Sequence, residues 1–330
     1  MPKTFKYVLW ALLVLLLLLA IGVALTWRPD VPVSALRERW APAPSTFIDV
    51  AGLQVHVRDE GPRDDPTPIV LIHGTSASLH TWEGWSKALR GQRRVISLDL
   101  PAFGLTGPFA GDYLSRWAGQ PLYTADHYAR FVLDLLDRLG VQRFVVAGNS
   151  LGGDVAWHIA AAAPERVAQL VLVDAAGYRF TPEGVPLGWR IARLPVLGRL
   201  TEHFLPRPFV LQGLRAVYAN PAKIDEALID RYFELTLRAG NRAALVQRLQ
   251  AWSPGEGVDK VTGVTAPTLI LWGGRDPLIP PALAKRFAAD IPGSQLVVFD
   301  DLGHVPQEED PQRTVAAVKV FLGLPAVPAH

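Results

Sequence analysis

Between Phe144 and Ala163 the chain reads FVVAGNSLGGDVAWHIAAAA. Four apolar residues, Phe144–Ala147, predict a buried strand, and Leu151–Ala163 predicts a helix. Only Gly148-Asn149-Ser150 separates them. A strand that becomes a helix across so few residues must turn sharply. Side chains flanking such a turn would collide, which accounts for Gly148, Gly152 and Gly153. The strained backbone directs the Ser150 hydroxyl outward and places it at the amino end of a helix. Ser150 is therefore either an incidental turn residue or an exposed nucleophile, and the rest of the chain has to decide.

The same alternation recurs along the chain. Strands are predicted at Thr46–Val50, Leu53–Arg58, Ile69–Ile72, Arg94–Leu98, Val167–Val173, Thr268–Trp272 and Gln295–Phe299. Helices are predicted at Trp82–Arg90, Tyr123–Leu139, Pro281–Asp290 and Pro311–Leu322. Strand–helix alternation implies an α/β fold, a mostly parallel sheet with helices on both faces. Residues 178–252 break the pattern with helical segments and prolines, and read as a helical lid over the carboxyl edge of the sheet. The core then comprises 46–177 and 253–323, with a short tail at 324–330. The long loop Asp99–Thr124 carries Phe103, Phe109, Tyr113 and Trp117, which are expected to help wall a pocket.

The chain of 330 residues has a near-balanced charge of +2 and no cysteine. Nucleic acid is not an expected partner, because no dense basic run occurs. Thiolate chemistry and cysteine-ligated metals are excluded. No metal or organic cofactor is indicated. Val8–Trp27 carries no charge. At ~1.5 Å per residue it would cross one bilayer core, with Trp10 and Trp27 near its ends. The expectation is an uncleaved transmembrane helix within residues 1–27; a signal peptide would have a shorter apolar region. Lys3 and Lys6 precede it and Arg28, Arg37 and Arg39 follow, so the count of basic residues does not fix orientation. A short basic amino-terminal tail usually stays cytoplasmic, which would put the folded domain on the extracytoplasmic side. Residues 28–45, rich in proline, read as a tether.

A serine hydroxyl needs a base to become nucleophilic. His304, in DLGHVPQEEDP, follows the last predicted strand. Of the eight histidines it alone follows a strand end downstream of Ser150. His56 lies in an early strand, His158 on the helix behind the turn, His203 in the lid and His330 in the tail. The base needs a carboxylate to hold its tautomer. Asp276, in LILWGGRDPLIP, follows another strand and sits in a loop able to aim it. Asp174, in LVDAAG, is the rival. An oxyanion hole needs two N–H groups. Leu151 offers one, and Thr75, after His73-Gly74, is expected to offer the other. His73 reads as a buried hydrogen-bonding residue, while Ser76 and His80 are candidates to line the pocket.

HGTSAS, DLPAFG, GNSLGG, WGGRDPLIP and GHVPQEEDP occur in family order over residues 46–323, and the chain resembles the α/β-hydrolase superfamily with a helical cap. The order Ser150, Asp276, His304 is that of the fold. The resemblance implies a structural role for Asp99, and Ala102 stands where many relatives have glycine. Epoxide hydrolases and haloalkane dehalogenases of this fold carry aspartate where this chain has Ser150. GNSLGG also resembles hydrolases that cleave carbon–carbon bonds in aromatic ring-cleavage products. Those commonly have tryptophan where this chain has Val305, and a glycine-rich loop where it has Thr-Ser-Ala-Ser.

The first expectation is a membrane-anchored serine hydrolase of carboxylic esters working on a small-molecule substrate. The second is carbon–carbon hydrolysis of a vinylogous diketone acid, which needs a pocket cation such as Arg179, Arg190 or Arg242. The third is a non-catalytic binding protein on the same fold.

Overall fold

The computed structural model describes residues 3–180, 184–195 and 197–325, without the side chains at 3, 19, 20, 23–25 and 200. The eight strands are β1 Ser45–Val50, β2 Leu53–Glu60, β3 Ile69–Ile72, β4 Val95–Leu98, β5 Phe144–Asn149, β6 Val167–Val173, β7 Thr268–Gly273 and β8 Gln295–Phe299. They form one sheet in the order β1-β2-β4-β3-β5-β6-β7-β8. β2 runs antiparallel to β1 and β4, and every pairing from β4 to β8 is parallel. All eight lie where the sequence predicts them.

Central strands of a parallel sheet are covered on both faces, and their residues alternate between two cores. In β3, Val70 and Ile72 join a cluster with Phe131, Val155 and Ile159. Ile69 and Leu71 join the other, with Trp82, Trp85, Val315 and Val318. Each fully buried side chain of this size contributes about 1.5–3 kcal/mol. The apolar spacing in the helix Ala125–Arg138 turns Tyr128, Phe131, Val132, Leu135 and Leu136 inward, and Thr124 caps it by accepting from His127 N–H at 3.2 Å. The helix predicted at Trp82–Arg90 is split, a 3₁₀ turn Leu79–Trp82 leading into Glu83–Leu89.

The region 178–252 holds helices Leu187–Ala192, Leu197–Thr201, Arg207–Arg215, Glu226–Thr236 and Asn241–Ala251, with no strand among its described residues; 181–183 and 196 lie outside them. Of the expected tail, 326–330 also lie outside.

Three expectations need correction. The aromatic residues of the Asp99–Thr124 loop do not wall the substrate cavity. Phe109 sits 5.1 Å from Trp117 and 5.4 Å from Tyr113 and Tyr123, ring centre to ring centre, and all four are core residues. Burial among their own kind outweighs exposure to a cleft.

Residues 28–45 are not a loose tether. Val33–Trp40 is helical with Leu36 buried. Val31 N–H donates to Leu237 O at 2.7 Å, and Ala239 N–H donates to Val31 O at 2.8 Å. Asp30 accepts from Gly240 N–H at 2.9 Å and from Arg242 Nη2 at 2.6 Å. Trp40 Nε1 donates to Glu234 at 2.7 Å. The segment is a strap across the cap.

The expected transmembrane helix also differs. The helix runs Lys3–Thr26, and Trp27 leaves it to form a β-bridge with Phe204 and stack on His203 at 4.8 Å. Among the described residues no helix is long and apolar enough to cross a membrane. The expected span passes through 19, 20 and 23–25, whose side chains lie outside the described residues. Leu12–Leu18 are all exposed.

Candidate active site

The turn after β5 has the strain its sequence predicts. Ser150 has φ 55° and ψ −115°, an unfavourable conformation for a residue with a side chain. Its N–H donates to Val173 O at 3.0 Å. A Cβ on Gly148 would lie 2.0 Å from Gly152 O, and one on Gly152 would lie 2.0 Å from Ile72 O. Asn149 Nδ2 donates to Val173 O at 3.2 Å and to His304 O at 2.9 Å, tying the turn to the histidine loop. Sequence reading left Asn149 unassigned.

His304 and Asp276 are brought together. His304 Nδ1 donates to Asp276 Oδ2 at 2.7 Å, and both are buried. The other oxygen, Asp276 Oδ1, accepts from Leu278 N–H at 2.7 Å and Ile279 N–H at 2.9 Å. The Leu278-Ile279 segment therefore aims the carboxylate, as its sequence suggested. With Nδ1 engaged, Nε2 is the nitrogen free to accept a proton. His304 N–H donates to Val217 O at 2.8 Å, so the cap also holds this loop.

Asp174 stands behind the pair. Its Oδ1 accepts from Gly273 N–H at 2.9 Å, and Oδ2 has no hydrogen-bond partner. Burial, followed by the neighbouring Asp276 charge, raises its carboxyl well above the ordinary range. Ligating atoms of Asp174, Asp276 and His304 fall within 4.8 Å of one another. A metal held there would have to replace the His304–Asp276 hydrogen bond, so the donor set fits a hydrogen-bonded imidazole–carboxylate pair better.

The remaining candidates separate. His73 Nδ1–H donates to Gly74 O at 2.7 Å while Nε2 accepts from Leu100 N–H at 3.0 Å. Burial lowers its pKa, and it is a structural imidazole. Asp99 accepts from His56 Nδ1 at 2.7 Å, Leu79 N–H at 2.7 Å and Leu105 N–H at 2.8 Å, in keeping with a structural role. Ala102 adopts φ 81°, where a glycine would be unstrained. His158 packs behind the turn with Nδ1 donating to Asp154 O at 2.8 Å. His80 does not line the cavity; it is buried against Ser78 and Trp40 O.

Ser150, His304, Thr75 and Ser76 line one cavity of about 690 Å³. Its walls are largely apolar and come mainly from the cap. Leu18, Gly22, Thr26 and Trp27 complete its rim, so the end of the amino-terminal helix belongs to the pocket. Leu151 opens the helix after Ser150, so its N–H has no acceptor within that helix. A Cβ on Gly74 would lie 3.1 Å from Ser150 Cβ, which brings the Thr75 loop beside Ser150. Of the three candidate cations, Arg242 lines this cavity, while Arg179 and Arg190 are exposed outside it. A second lobe of about 60 Å³ also reaches Ser150, Thr75 and Leu151, and is lined by Arg193 and Arg248. Neither arginine was singled out from sequence.

Residues 67–311 match the family model described as the alpha/beta hydrolase fold. The chain is an α/β-hydrolase. It is 29% identical over 262 residues to the dihydrolipoyllysine-residue acetyltransferase component of an acetoin cleaving system from Pseudomonas putida, covering 78% of this chain but 63% of that protein. The hydrolase thus spans less than two thirds of that relative's length. It is 28% identical over 286 residues to a 2-hydroxy-6-oxononadienedioate/2-hydroxy-6-oxononatrienedioate hydrolase from Klebsiella pneumoniae, covering 81% of this chain and 91% of the relative. Among solved structures, a membrane phospholipase A described as a bacterial virulence factor superposes with a TM-score of 0.68 and 26% identity, covering 96% of this chain and 98% of the other.

The raised Asp174 carboxyl gives the hydrolase a pH signature. The folded chain keeps this proton to higher pH than the unfolded chain does. Above the ordinary carboxylate range the native state therefore binds more protons, and stability falls as pH rises toward the folded pKa. Asn in place of Asp174 keeps an acceptor for Gly273 N–H without the ionisation. The melting temperature of Asp174→Asn relative to wild type is expected to rise from about pH 5 to about pH 8. A gap that narrows over that range would show that Asp174 is ionised in the native state.

Proposed function

We propose that this α/β-hydrolase cleaves carboxylic esters with long apolar acyl chains through an acyl-enzyme formed on Ser150. The observation that carries the reading is a cavity of about 690 Å³, largely apolar, that holds Ser150 and His304. Ser150 Oγ attacks the ester carbonyl as His304 Nε2 accepts its proton. Asp276 stabilises the imidazolium, and the Thr75 and Leu151 N–H groups receive the oxyanion. The imidazolium then gives the proton to the departing alcohol oxygen. Water, deprotonated by His304, releases the carboxylic acid and restores Ser150. The turn glycines Gly148 and Gly152 serve by leaving room for this geometry.

The membrane phospholipase A supports a lipid-like ester, because it is similar over nearly the whole of this chain. The dienedioate hydrolase relative supports the carbon–carbon reading instead, and Arg242 in the cavity wall is a cation of the kind that reading needs. The ester reading is preferred because the cavity wall is largely apolar and Arg242, its one arginine among the described residues, is paired through Nη2 with Asp30, 2.6 Å away, with Nε and Nη1 left unpartnered.

The amino-terminal helix is proposed to hold the enzyme at a membrane, with the catalytic domain on the extracytoplasmic side. Its row of exposed apolar residues supports this. Sedimentation with membranes after a carbonate wash, and protease access in intact cells, test the attachment and the side.

The function is tested with p-nitrophenyl esters of graded chain length. Each methylene buried in the cavity is worth about 0.8 kcal/mol, so kcat/KM is expected to climb about 3–4-fold per added carbon until the cavity is filled. Preference for acetate over every longer ester would contradict the reading.

A further inference from the structure

The second lobe beside Ser150 is bordered by a buried cation that forms no ion pair among the described residues. Arg248, on the cap helix Asn241–Ala251, is 5% exposed. Its Nε is buried without a hydrogen-bond partner, and among the described residues Arg248 forms no ion pair. The fold handles a comparable group differently. Arg231, also deeply placed, pairs with Glu308, which further accepts from Tyr232 Oη at 2.9 Å.

A buried cation without a partner is costly, and proteins rarely retain one without a use. On its other side Arg248 borders a small polar pocket lined by Asp154 and Glu256, but neither carboxylate pairs with it. Asp154 turns toward His158, with 3.4 Å between its Oδ1 and Nδ1. Tyr128 donates its hydroxyl to Pro101 O at 3.0 Å. Glu256 is exposed. Burial lowers the Arg248 pKa, with Tyr128, Asp154 and Glu256 opposing from a distance. No carboxylate lines the lobe, and Arg193 adds a second guanidinium at its solvent side, 5.5 Å over the Trp252 ring.

We propose that this lobe is an oxyanion-binding subsite, in which Arg248, with Arg193 at the rim, holds a carboxylate or phosphate group carried by the ester on the side of the scissile carbonyl away from its hydrocarbon chain. The proposal rests on the ester reading and sharpens it: the substrate is an amphiphile, with its chain in the large cavity and its anion in the small lobe. The planar guanidinium suits a two-oxygen contact that lysine would not reproduce. Arg248 acts in binding and takes no part in bond making.

The test uses the full chain and three esters with one acyl group: decanoylglycerol, decanoylglycerol phosphate and decanoyl glycolate. In wild type the anionic esters are expected to have the higher kcat/KM. In Arg248→Met the ratio of anionic to neutral kcat/KM should fall about 10–100-fold, mainly through KM. Arg248→Lys should recover only part of it. A fall confined to the phosphate ester identifies a phosphate subsite, and one confined to the glycolate ester a carboxylate subsite.

Thermal melting supplies an independent readout. A structural arginine would destabilise the fold when replaced, whereas removal of an unpaired buried charge should raise the melting temperature of Arg248→Met. Inorganic phosphate or acetate should raise the melting temperature of wild type more than that of the variant. Unchanged ester ratios in Arg248→Met would overturn the proposal while leaving the ester reading intact. Failure of wild type to cleave all three esters would reject the ester reading, and anion-dependent melting that still required Arg248 would then uphold the subsite alone.

Discussion

Replacing Ser150 with alanine is expected to lower kcat/KM for an activated long-chain ester by about 10⁶-fold, the scale of removing a triad nucleophile. The reason lies in the division of labour at the site. His304 is oriented by Asp276 at 2.7 Å, and Asp276 is itself held by two backbone N–H groups. On the proposed mechanism this pair serves to activate one hydroxyl, and without that hydroxyl it has nothing to deprotonate except water. The fold should survive. Alanine keeps the Cβ that the φ of 55° already accommodates, and the backbone contact from Ser150 N–H to Val173 O is unaffected. Melting within about 2 °C of wild type, together with lost turnover, is the expected pair of results. Turnover retained in the variant would place the chemistry elsewhere.

The second large effect is structural. Gly152→Ala would place a methyl group 2.0 Å from Ile72 O and 2.7 Å from His73 O. Both are backbone atoms at the end of β3, which is hydrogen-bonded on both sides, to β4 and β5. Neither can retreat without breaking the ladder. The cost is expected to reach at least about 3 kcal/mol, a large part of a typical stability of about 5–15 kcal/mol. Melting should fall by about 6–12 °C or the protein should fail to accumulate in folded form. Activity should suffer in whatever folds, because Ile72 and His73 lead directly into the Thr75 loop. Gly91→Ala is the matched control. No atom lies within 4 Å of its added Cβ, so its melting temperature should barely move. Equal behaviour of the two variants would show that the turn is looser than its geometry implies.

How much of this was legible in the sequence follows from the range of the forces involved. The central strands could be read because they are short apolar runs closed by a glycine, an aspartate or a turn, and β1 and β2 because they flank the Ala51-Gly52 turn. Ser150, Asp276 and His304 could be read because each follows such a strand, and the parallel order brings those ends to one edge of the sheet. Asp276 could be preferred to Asp174 from the loop around it, and the hydrogen bond to His304 agrees.

Long-range partners were not legible. The prolines of 28–45 suggested a tether, yet Asp30 meets Arg242, 212 positions away. Nothing local signals that contact. The aromatic loop residues suggested a cavity wall, but they bury one another. Arg248 was invisible for a different reason. A helical period places residues on a face, but not what the face will meet when the cap closes over the sheet.

The most direct measurement is reaction of the full-length protein with a fluorophosphonate, with the adduct located by mass spectrometry. An activated serine is phosphonylated and an ordinary turn serine is not. The account predicts a single adduct on Ser150 in wild type and at least a thousandfold slower labelling in His304→Ala, a scale set by loss of the general base. A folded wild-type protein left unlabelled at Ser150, or labelled equally fast without His304, would contradict it.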